Sequence, residues 1–175
     1  MCEYCEIAEG GRGAFKIFED DKVLAILSQS PASFGHVLVM PKSHHHIIEQ
    51  VPDFLLSHLM IVSSKLMVCL FEGLNADGTN LIISNGIAAG QTEPHFMLSL
   101  VPRRENDGIN LQWHPKQASP EELSTVELEL SDFTRKIGEF EKEKPKPIVM
   151  DEEKTSDDME SDDNSVRVRH LTRIP

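Results

Sequence analysis

The chain has 175 residues, enough for one domain with a real core, and carries 17 lysines and arginines against 29 aspartates and glutamates. A net charge of −12 leaves no cationic face to displace counterions from nucleic acid, and it argues equally against an anionic membrane surface. No apolar run approaches the ~20 residues needed to span a bilayer.

The start, Met1-Cys2-Glu3-Tyr4-Cys5-Glu6, lacks the basic and apolar regions of a signal peptide, so a cytoplasmic location is expected. Three cysteines in a reducing compartment do not suggest a disulfide framework. Cys2 and Cys5 form a Cys-x-x-Cys with no room for the preceding strand that a redox site would want. A structural zinc needs two further ligands from elsewhere. On this pair alone, half a metal site and two inert surface thiols are both open.

Two short strands follow, Ala14 to Phe18 and Val23 to Leu27, joined by the polar turn Glu19-Asp20-Asp21-Lys22. Ser28 to Gly35 is a loop by composition, and His36 to Met40 is a third strand, stopped by Pro41-Lys42. Three adjacent histidines, His44, His45 and His46, cannot all point one way, so at most one or two share a target. By composition alone they read as solvated side chains rather than ligands.

From about Pro52 to Phe71, Phe54, Leu55, Leu59, Val62, Leu66, Met67 and Leu70 recur mostly at spacings of three and four. That period predicts an amphipathic helix of about five turns, with Gly73 at its end. Met60, Met67 and Cys69 read as core filling. Leu81 to Ser84 is a strand, and Asn85-Gly86 opens a loop of small residues running to Gln91.

Phe96 to Val101 reads as a buried strand closed by a proline. Alternation puts His95, Met97 and Ser99 on one face and Phe96, Leu98 and Leu100 on the other. Trp113 is open to three roles: packing on the core, covering a pocket, or lining a dimer surface. Ser119-Pro120-Glu121-Glu122 is an N-terminal helix signature, and the helix, placed in 115–140, should run to about Gly138 or Phe140. Residues 141–165 form an acidic linker, with eight acids and one lysine between Asp151 and Asp163, and should be disordered. Residues 166–175 return to partial alternation and read as a terminal strand or clip that docks back.

The sequence resembles the histidine-triad (HIT) superfamily of nucleotide hydrolases and transferases. The resemblance rests on Cys2-x-x-Cys5, Phe18-Glu19-Asp20-Asp21, the block Pro31 to His44, and Asn85-Gly86 through Gly90-Gln91 to Pro102-Arg103. It covers roughly Cys2 to Trp113, and the HIT-like domain is placed at 1–114. It implies an α+β fold: a twisted antiparallel sheet of about five strands, one long helix packed on it, and a two-fold homodimer. In the zinc-containing branch the metal ligands match Cys2, Cys5, His44 and His95. Such a set leaves no coordination position open, which makes the Zn2+ structural. His45 and His46 then become neighbours of the ligands or solvated residues, and His36 a packed histidine making one backbone hydrogen bond.

The resemblance also implies where chemistry has been lost. The family's attacking histidine matches Met97, whose thioether forms no phosphoramidate and holds no exchangeable proton. The third histidine matches Ser99, a valine of the loop matches Glu93, and the ribose-binding acid matches Ser28. A ligand would be left with Ser28, Asn85, Gly90, Gln91, Thr92, Met97 and Ser99. The expected function is a catalytically inactive HIT-like protein that binds a nucleotide or related small ligand as sensor or adaptor. Two alternatives stand beside it: a hydrolase or transferase that has moved its chemistry to Ser99, and a ligand-free dimeric interaction module.

Overall fold

The computed structural model describes residues 2–135 and 137–138. The acidic linker expected at 141–165 and the clip expected at 166–175 lie outside the described residues. The elements in chain order are α1 (Glu3–Ala8), β1 (Lys16–Glu19), β2 (Val23–Leu27), β3 (Val37–Pro41), α2 (Asp53–Leu74), β4 (Gly78–Ile82), β5 (Leu98–Arg103) and α3 (Pro120–Thr134). Short 3-10 turns occupy Ile48–Gln50 and Ile87–Ala89.

The five strands form one antiparallel sheet in the order β1-β2-β3-β5-β4. Strands β2 and β3 are continuous apolar runs because both faces of the sheet are covered there. On one face Val23, Ala25, Val37, Val39, Leu98 and Leu100 pack against Leu55, Leu59, Val62, Leu66 and Leu70 of α2. On the other, Leu24, Ile26, Leu38 and Met40 pack with Ile7 of α1, and Met97 joins this second cluster.

The α2 helix runs one residue past the expected Gly73 and is capped by Asn75, which takes the left-handed conformation at φ 49°. An 18-residue stretch of it has a mean hydropathy of 1.9, and the helix is, by length and composition alone, long and apolar enough to cross a membrane. That corrects the expectation that no run approaches such a length. In this fold its inner face is spent on the sheet; of the residues expected to fill the core, Met67 packs there, but Met60 and Cys69 are exposed on the outer face. Gly35, at φ +87°, brings the β2–β3 loop under the end of α2, where a Cβ would collide with Leu74.

Further boundaries differ from expectation: the third strand is Val37–Pro41 rather than His36 to Met40, and the last is Leu98–Arg103 rather than Phe96 to Val101, each with its proline inside the strand. The fourth strand is Gly78–Ile82 rather than Leu81 to Ser84, because Gly78, Thr79 and Asn80 pair with Arg103, Pro102 and Val101 through backbone groups that hydrophobic patterning does not reveal. The first strand starts two residues late, at Lys16, on an exposed edge with a register shift before Phe18. Trp113 is 83% exposed, so it does not pack on the core. The α3 helix begins where expected, with a capping box in which Ser119 Oγ accepts from Glu122 N and the Glu122 carboxylate accepts from Ser119 N. It ends at Thr134, short of Gly138.

Candidate functional site

The site begins with α1, an element that hydrophobic patterning did not announce. Cys2 is its N-cap residue and its carbonyl accepts from the backbone N–H groups of Cys5 and Glu6. A spacing of three on that single turn turns both thiols to one side. His44, just past β3, and His95, just before β5, face the same point. Cys2 Sγ lies 3.6 Å and Cys5 Sγ 3.7 Å from His95 Nδ1, Cys5 Sγ lies 3.2 Å from His44 Nδ1, and all four donor atoms fall within 4.8 Å of one another.

Those separations fit a tetrahedral zinc, for which bond lengths of about 2.3 Å to sulfur and about 2.0 Å to nitrogen put unlike ligand atoms roughly 3.5 Å apart. The tautomers fit as well. His95 is 1% exposed, and its Nε2–H donates to the carbonyl of Pro41 at 2.9 Å, which leaves the Nδ1 lone pair facing the thiols. Burial holds His95 below the usual imidazole range; its three histidine neighbours add to this and the Pro41 hydrogen bond opposes it. His44 Nε2 is 3.3 Å from His46 Nε2, so His46 supports a ligand, whereas His45 Nε2 is bonded to Ser43 Oγ at 2.9 Å. A metal held here would tie α1 to the body of the sheet.

Beside this centre lies a cavity of about 460 Å3, within the usual size range of small-ligand sites. Ile7, Ile26, Leu38 and Met97 of the second apolar cluster line it, together with Tyr4, Arg12, Thr92 and Glu93. Met97 is half-buried and leaves the cavity open, standing between it and a smaller hollow of about 90 Å3. Another hollow of about 390 Å3 lies by the β1–β2 turn, where His58 Nε2 donates to Asp20 Oδ2 at 2.7 Å.

The sequence-predicted ligand residues divide into three groups. Ser28, Thr92, Met97 and Ser99 line the main cavity, and Thr92, Met97 and Ser99 also line the smaller hollow, where Gly90 and Gln91 join them. The Gln91 amide is already committed: Oε1 accepts from Gly86 N, and Nε2 donates to the carbonyls of His46 and Glu93. Asn85 lines neither space; its Oδ1 accepts from Ile48 N and its Nδ2 donates to the Glu49 carboxylate. Sequence reading passed over Glu3, Tyr4, Arg12 and His36, which also line the main cavity. The Tyr4, Ile7, Ala8 spacing was the available signal for α1, and with it for this part of the lining.

His36 makes one backbone hydrogen bond, as its reading anticipated: Nδ1 accepts from Ala32 N at 3.1 Å. Its proton therefore sits on Nε2, a buried atom with no partner among the described residues. Burial lowers its pKa below the ordinary histidine value. Arg12 pairs with Glu3 at 3.1 Å, both half-exposed. Burial raises the Tyr4 phenol, with Glu93, Glu3 and Cys2 adding to the rise and Arg12 opposing it. Among the described residues no histidine lies within hydrogen-bond distance of the Ser99 hydroxyl.

Comparison with known proteins gives this geometry a family. The HIT domain matches residues 11–106. The chain is 33% identical over 106 residues to an adenylylsulfatase of Arabidopsis thaliana, a match covering 61% of this chain and 54% of that protein. The chain thus spans about half the length of that relative. The crystal structure of a HIT family protein from Bacillus anthracis superposes with a TM-score of 0.70 at 36% identity, covering 75% of this chain and 96% of the other. A zinc-bound histidine triad family protein from Mycobacterium smegmatis superposes with a TM-score of 0.60 at 34% identity, over 75% and 96% of the two chains. With its five-stranded sheet, its long helix and a family match over more than half its length, this chain belongs to the HIT family.

Proposed function

We propose that this chain is a HIT-family protein that binds a nucleotide or related small ligand without nucleotidyl transfer, acting as a sensor or adaptor. The observation that carries the reading is Met97, which lines an open cavity where the family motif has its attacking histidine. A thioether there accepts no phosphorus and relays no proton. The open 460 Å3 beside it supports a ligand over a sealed, purely structural module. A Ser99 hydroxyl with no histidine in reach among the described residues counts against relocated catalysis.

The Cys2, Cys5, His44 and His95 set is read as a structural zinc staple, supported by the donor geometry and by the zinc-bound Mycobacterium smegmatis relative. A reducing compartment such as the cytoplasm would keep both cysteines as thiolate ligands. A homodimer is the assembly in this reading, supported by exposed Met60, Ile61, Val68 and Phe71 on α2. The name of the Arabidopsis relative directs the first assays to adenylyl compounds.

The test has two arms. Thermal shift with AMP, GMP and the corresponding nucleosides should find at least one stabilising ligand, with a gain of ~2.7 kcal/mol at a hundredfold excess over Kd. Incubation with an AMP-lysine phosphoramidate should give no turnover above background. Turnover that disappears in Ser99→Ala would overturn the non-catalytic reading, and no stabilisation by any ligand would overturn the binding one.

A further inference from the structure

We propose that the cavity beside Met97 selects a phosphate-free, amine-bearing nucleoside, its ammonium paired with Glu93. This deepens the small-ligand reading of the same cavity and rests on it.

Three charged side chains line the main cavity: Glu3, Arg12 and Glu93. Arg12 is bound to Glu3 at 3.1 Å, so those two cancel. Glu93 faces both the main cavity and the smaller hollow, and its carboxylate makes no hydrogen bond or ion pair among the described residues. Its backbone is fixed, because the Glu93 carbonyl accepts from Gln91 Nε2 at 2.9 Å and that same amide is anchored to His46. The loop therefore holds the Glu93 backbone beside the cavity, and its side-chain charge acts on the Tyr4 phenol, which lines the same cavity.

Nothing nearby offsets this charge. Met97 and Ser99 supply no cation, and the His36 imidazole is neutral with its proton on Nε2. A divalent ion on two thiolates and two imidazoles has no net charge, so the metal centre contributes none either. A phosphate dianion entering here meets an unpaired carboxylate, whereas an ammonium finds a counter-ion.

Isothermal titration of the full, zinc-loaded chain with 5′-amino-5′-deoxyadenosine, adenosine and AMP tests this directly. The expected order is aminonucleoside tightest and AMP weakest, at least tenfold apart. Glu93→Gln should bring the aminonucleoside and AMP within about threefold, and Glu93→Lys should reverse their order. AMP binding more tightly than the aminonucleoside in the unmodified chain, or a preference unchanged in both variants, overturns the proposal while leaving a ligand site in place. If none of the three binds, this inference fails, and the small-ligand reading fails with it when GMP and guanosine give no thermal shift either.

Discussion

Removing one thiol of the metal set, by Cys5→Ser, should release α1 and leave the rest of the fold standing. The helix has six residues, too few to be stable alone. Fixing their backbones costs about 6–12 kcal/mol. Burying Ile7, which is 0% exposed, returns about 2–3 kcal/mol. The hydrogen bonds to the carbonyls of Cys2, Cys5 and Ile7 return about 1 kcal/mol each. A shortfall of up to about 5 kcal/mol falls to the metal staple. In Cys5→Ser, hydrogen exchange at the amides of residues 5–8 should therefore accelerate by roughly 1,000-fold, about 4 kcal/mol of local opening. The amides of α2 should keep their protection, and chelation of the unmodified chain should produce the same pattern. Equal protection of α1 with and without the thiol would refute the reasoning, and so would global unfolding of the variant at room temperature.

Gly35→Ala should cost at least about 2 kcal/mol in urea unfolding, because it combines a left-handed backbone with a collision at Leu74; a loss under about 0.5 kcal/mol would show that the end of α2 yields. Asp20→Ala should cost about 1–2 kcal/mol, since Asp20 Oδ1 accepts from Lys22 N and Val23 N while Oδ2 accepts from His58. The folded pKa of His36 is depressed by burial below its unfolded value near 6.5, so its contribution is present above that value and is lost as pH falls below it. Zinc-saturated protein should thus lose stability between pH 7 and pH 5 more steeply than His36→Phe, and parallel slopes would show that His36 does not titrate there.

The sheet was legible because β2, β3 and β5 are apolar runs with strong boundaries, and α2 because its period is unbroken. The β4 boundary was not, since Gly78, Thr79 and Asn80 earn their place by backbone pairing with β5. The metal set was legible only through a resemblance, because Cys2 and His95 are 93 residues apart and nothing local says that they meet. The cavity was half legible. Ser28, Met97 and Ser99 sit on strands or strand ends whose facing can be read by alternation, but Arg12 and Tyr4 reach the cavity from an N-terminal turn whose docking depends on the fold. Asn85 and Gln91 carry the right chemistry for a ligand, yet their amides are occupied by the loop they hold.

The two coverings of the sheet are unequal, and the pleat assigns them by residue number. In β2 and β3 odd positions face the long helix and even ones face α1; from Met97 to Leu100 the assignment is inverted. A saturation scan scored separately for abundance and for ligand capture should therefore sort by parity along the start of β5. Polar changes at Leu98 or Leu100 would empty the soluble pool, whereas those at the partly buried Met97 or Ser99 would leave protein in solution with a spoiled cavity.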